Sequence, residues 1–132
     1  MRTDRGSLTV VTMFLLVIAL AGAGVIVDGG RALAARRHAA NTAEAAARFA
    51  IADQSLAGSF DAELARDVAL SDVQRSGVQP ADVSVDIRID PSGQPEVVVT
   101  VTERRLAVFL ALGGASEITV RASGAATFVY ST

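Results

Sequence analysis

The sequence predicts an α+β protein: a long N-terminal helix, apolar and then alanine-rich, a second helix, and a three-stranded, antiparallel sheet. Three observations carry this. Leu8 to Val27 contains no charged residue and no proline. Arg31 to Ala52 is dominated by alanine, the best helix former. From Val83 onward apolar residues recur at every second position, the period of a half-buried strand.

The first run, LTVVTMFLLVIALAGAGVIV, rises about 1.5 Å per residue as a helix and so matches a hydrocarbon core of about 30 Å. Two readings compete for it. A signal peptide would use Arg2 and Arg5 as its basic region and be cut after Ala21 or Ala23, releasing a small secreted α+β protein. A retained transmembrane helix would continue to Val27. The run exceeds the usual length of a signal core and no turn-forming break follows it, which favours the retained helix. Arg2 and Arg5 precede the span, and Arg31, Arg36 and Arg37 follow it. Counted alone, these charges favour a cytoplasmic C-terminus.

Residues 1–27 are thus read as leader and transmembrane helix, 28–57 as an Ala-rich stalk helix, and 58–132 as a small head. The helix is expected to be single, or hinged at Gly29-Gly30. Ala32, Ala35, Ala39, Ala43, Ala46 and Ala50 share one face, where small side chains permit close approach; Ala39 and Ala43 are interface candidates. Ser59 is the expected N-cap of a second helix, Phe60 to Ser76, with Phe60, Leu64, Val68 and Val73 as its apolar stripe and Gly77 as its terminator.

Pro80 closes the helical part. Val83, Val85, Ile87 and Ile89 alternate with polar residues as a first strand, and Pro91 to Pro95 form a turn. Glu96 to Thr102 return as a second strand. Glu103-Arg104-Arg105 then lead into Leu106 to Leu112, which is either core or an apolar patch that docks on a membrane or a partner; core is the preferred reading, with Phe109 the contact candidate. Glu117 to Tyr130 form the last strand, in which Gly124 marks a bulge or a close backbone approach.

Little in the chain carries chemistry. A net charge of −2 offers no reason to expect nucleic-acid binding. With no cysteine, thiolate metal sites, disulfides and Cys nucleophiles are excluded. The single histidine, His38, has no carboxylate close enough along its helix to build a metal site and is expected to be solvated. No nucleophile elbow or phosphate-binding loop is present, and Gly22-Ala23-Gly24 lacks the third glycine of a dinucleotide fingerprint. The expectation is no enzyme, no cofactor and no small-molecule substrate. Gly22 instead suits close helix packing in lipid. Asp28, at the end of the span, is costly unless it reaches interfacial water or a partner, and Arg31 lies within reach on the same face.

Arg5-Gly6-Ser7, a span, Val27-Asp28-Gly29-Gly30-Arg31, Leu33-Ala34-Ala35-Arg36-Arg37 and Asn41-Thr42-Ala43-Glu44-Ala45-Ala46 together resemble the TadE/TadG-like proteins of tight-adherence (Flp) pilus assembly, in their short form. The resemblance is most specific over residues 5 to 50. It implies a bacterial, pilin-like accessory component in the inner membrane, with a cytoplasmic leader and an extracytoplasmic head. Its partners would be other pilus-assembly proteins or pilin-like subunits. The orientation it implies is opposite to the arginine count. Pilin-like members carry Glu at the fifth position after the glycine. Here that position is Val11, and no acid follows until Asp28, which favours an assembly or anchoring factor over a filament subunit.

Overall fold

A computed structural model describes residues 4–79 and 82–130. Met1 to Thr3 of the leader and Pro80, expected to close the helical part, lie outside the described residues. The elements run α1 (Asp4–Ala57), α2 (Ala62–Arg75), β1 (Val83–Ile89), β2 (Pro95–Leu106), a short 3₁₀ turn (Leu110–Gly113) and β3 (Glu117–Thr127). The chain divides into two compact units. One comprises residues 1–33 and 105–118, the other residues 34–104 and 119–132.

α1 is a single helix through Gly29-Gly30. Each glycine costs about 1 kcal/mol relative to alanine, too little to break a helix with good formers on both sides. α1 ends at Gly58, whose φ of 72° is the left-handed conformation of a helix terminator.

The larger unit is a three-stranded antiparallel sheet, in the order β1-β2-β3, covered by the Ala-rich half of α1 and by α2. Ala39, Ala43, Ala46, Ala47 and Ala50 are fully buried, as are Val97, Val99 and Val101 on the central strand. β1 pairs with β2 in the register Val83↔Val101 to Ile89↔Pro95. The intervening turn is closed by Asp90, whose Oδ1 accepts the N–H groups of Ser92 and Gln94, and by Gly93 at φ 81°. Gly124 of β3 is a close approach: a Cβ there would lie 2.3 Å from the Glu44 backbone N. The sheet and α1 meet backbone to backbone at that point, which only glycine permits.

The structure corrects several local expectations. The N-cap of α2 is Asp61, not Ser59. Its carboxylate accepts the N–H groups of Glu63 and Leu64 at 2.9 and 3.0 Å, and its own N–H donates to the buried Gln54 Oε1 at 2.7 Å. The buried face of α2 is Ala65, Ala69 and Val73, whereas Leu64 is exposed. The face is rotated by one position because small residues are needed where the helix sits close to the core.

β2 continues past Thr102 to Leu106. Glu103 keeps the inward alternation, and its carboxylate meets His38 Nδ1 from α1. A charged inward residue is tolerable there because it is paired. His38, read as solvated, is half-exposed but holds this partner. β3 ends at Thr127, short of Tyr130. Phe128 is nonetheless buried, donates its N–H to Pro95 O at 2.8 Å and stacks 5.7 Å from Phe60.

Candidate interaction surface around Asp28

The smaller unit brings the end of the apolar run together with the segment between β2 and β3. Asp28 is only 1% exposed. Its Oδ1 accepts the N–H of Val108 at 3.0 Å, and its Oδ2 accepts those of Phe109 and Leu110 at 2.9 and 2.7 Å. Three backbone donors on one carboxylate replace the water that burial removes. The carboxyl is held below its ordinary range, first by the Leu110 and then by the Val108 hydrogen bond. Burial opposes this, while the Phe109 N–H and the charge of Arg31 lower it further. Asp28 is therefore anionic at neutral pH and clamps the residues that enter the 3₁₀ turn.

Gly24 completes the clamp one helical turn earlier. A Cβ at Gly24 would lie 2.5 Å from Phe109 Cβ, so the half-buried Phe109 ring sits where α1 has no side chain. Gly22, the sequence candidate for close helix packing, has nothing within 4 Å of the corresponding position. Ala39 and Ala43 are fully buried within the chain, and Arg31 is exposed.

Leu106 to Leu112 is not core. Leu106 is 72% exposed and Leu112 is 87% exposed, with Val108 and Leu110 also exposed. Only part of its surface is covered: Ala107 is buried and Phe109 half-buried. What sequence reasoning missed is that Asp28 and this segment are one site. A signal existed: an acid that ends an apolar run, and an uncharged apolar stretch closed by Gly113-Gly114.

Among the described residues no group of three or more His, Asp or Glu side chains could hold a metal ion. Among them there is also one helix long and apolar enough to cross a membrane, and it lies near the N-terminus. The architecture is that of an α+β chain with an apolar N-terminal helix and a buried acid at the end of the apolar run. Residues 6–55 match the model of the Tad family, Flp pilus-assembly TadE/G-like, so the chain carries a Tad pilus-assembly family segment that takes in the apolar run and most of the Ala-rich half of α1. No curated protein and no solved structure shows significant similarity to the chain.

Proposed function

We propose that the protein is a non-enzymatic, single-pass, pilin-like component of a Tad/Flp-type pilus assembly or secretion system, with the chain from Asp28 onward outside the cytoplasm. The family match over residues 6–55 carries this reading. The side chains of the apolar run support it. Leu8, Phe14 and Ile26 are exposed by 70, 66 and 76%, so the described residues supply little cover for them. A bilayer is the solvent that removes this cost. The partners are other membrane components of the assembly machinery. Val11 stands where pilin-like proteins carry an acid, which favours an anchoring or assembly role over a place in the filament.

Alkaline phosphatase fused after Thr132 tests the topology. Activity in intact cells is the expected outcome. An inactive fusion, with a cytoplasmic reporter active at the same site, overturns it. Mass spectrometry of the native protein separates the anchored form from a secreted one: an intact span in the membrane fraction is expected, and a mature N-terminus near Gly22 or Gly24 refutes retention.

A further inference from the structure

We infer that residues 106–116 form a second membrane contact, an apolar wedge that enters the same lipid leaflet as the end of the span. The inference rests on the single-span reading. Leu106 to Ser116 carries no charge and is bracketed by Arg105 and Glu117. The segment lies beside the apolar run itself: Phe109, Leu110 and Leu112 line one apolar groove of about 420 Å³ with Val17, Leu20 and Gly24. Val17 lies about 16 Å of helix rise before Asp28, close to the hydrocarbon thickness of one leaflet. Whatever solvent surrounds Val17 and Leu20 therefore also surrounds the exposed Leu110 and Leu112.

Seven of the eleven backbone N–H groups of residues 106–116 are paired inside this unit, which lowers the cost of entering hydrocarbon. Irregular segments are barred from lipid because unpaired N–H and C=O groups cannot be solvated there. Here Asp28 takes the N–H groups of Val108, Phe109 and Leu110. Those of Ala107, Leu112, Gly114 and Ala115 donate to carbonyls within the segment, at 3.0 to 3.1 Å. Arg31 and Arg105, at the two ends of this unit's apolar surface, suit the headgroup level, where long basic side chains settle. The occupant of the surface is thus phospholipid acyl chain.

The chain has no cysteine, so single labelling sites can be introduced into the full-length protein. Leu112→Cys, Leu16→Cys in the span and Ser92→Cys in the polar β1–β2 turn are labelled with the fluorophore NBD. Each is reconstituted in phosphatidylcholine–phosphatidylglycerol vesicles containing doxyl-labelled acyl chains. Leu106→Cys, at another exposed position, repeats the measurement, and circular dichroism confirms the fold of each variant. Quenching at Leu112 close to that at Leu16, and several-fold above that at Ser92, is expected. If Leu112 and Leu106 behave like Ser92 while Leu16 is quenched, the wedge is refuted and the anchor stands. If Leu16 is not quenched either, the anchor reading fails and the wedge with it. A Leu112 label shielded from both doxyl lipid and aqueous iodide, with disulfide-linked dimers on oxidation of Leu112→Cys, places a second copy in the groove and also overturns the inference.

Discussion

Gly124→Ala adds one methyl group and should be among the most damaging small substitutions in the chain. The new Cβ would lie 2.3 Å from Glu44 N, 2.4 Å from Glu44 Cα and 2.7 Å from the Ala43 carbonyl carbon. Non-bonded heavy atoms settle at about 3.5–4.0 Å, so β3 and α1 must separate by about 1 Å. All three atoms are backbone, and no rotamer change can relieve the clash. Separation would also loosen the Ala and Val contacts on either side, adding lost packing to strain. Overpacking costs about 1–3 kcal/mol, and a clash with backbone belongs at the top of that range. For a domain of this size the melting temperature should fall by about 10–20 °C. Thermal unfolding of the full-length protein in detergent micelles, followed by circular dichroism, measures it. Ala43→Gly should give no rescue in the double variant, because the obstruction is not its side chain. Gly29→Ala is the contrast. That helical glycine has open space around it, and alanine there should stabilise by up to about 1 kcal/mol. A Gly124→Ala protein that melts within a degree or two of the parent would refute the close approach.

Asp28→Asn should leave the protein inserted and the sheet folded. It should free the 106–116 segment to proteolysis and weaken co-purification with a membrane partner; unchanged protection would show that the three N–H bonds do not depend on the charge. The pH dependence follows in sign. The folded-state acidity of Asp28 is shifted down, so its stabilisation is fully present above the ordinary carboxylate range and is lost as pH falls through that range and below it. The hydrogen-exchange protection factors of the Val108 to Leu110 amides, corrected for the intrinsic pH dependence of exchange, should fall over that acid window in the parent and be flat there in Asp28→Asn. Val11→Glu, which puts an acid inside the span at a cost of about 2–3 kcal/mol, should reduce membrane insertion in cells and bring no gain in fibre incorporation. A gain would mark the protein as a filament subunit.

The helices and the alternating strands were legible because their periods are local. The long apolar helix, the buried Ala face of α1, the β1 alternation from Val83 to Ile87 and Gly77, at φ 84°, stand where the sequence placed them, whereas Ile89 at the end of β1 is exposed. What was illegible depended on partners distant in sequence. Glu103 reads as the end of a strand until His38 is known to face it. Leu64 reads as core until α2 is seen to present Ala65 and Ala69 instead. Leu106 to Leu112 reads as core because apolar runs usually are, and only three-dimensional packing shows the run alongside residues 17–25 of α1. Asp28 could be singled out as costly, but its partners are backbone groups some eighty residues away, and amides carry no sequence signature.

The alanine floor of the core also has a genetic consequence. A single-base change in any alanine codon yields Thr, Ser, Pro, Gly, Val, Asp or Glu, never Leu, Ile, Met or Phe. At Ala39, Ala43, Ala46 and Ala50, fully enclosed on a helix that lies against a sheet, each of those replacements brings a polar group, a helix breaker or a β-branched side chain with no room. Every single-base neighbour at these positions therefore carries a stability cost, with glycine, at about 1 kcal/mol, among the mildest. Unvarying alanines along this face in related chains would record packing geometry, and variation at Asp28, Phe109 and Leu112 would be the more telling trace of what the molecule touches.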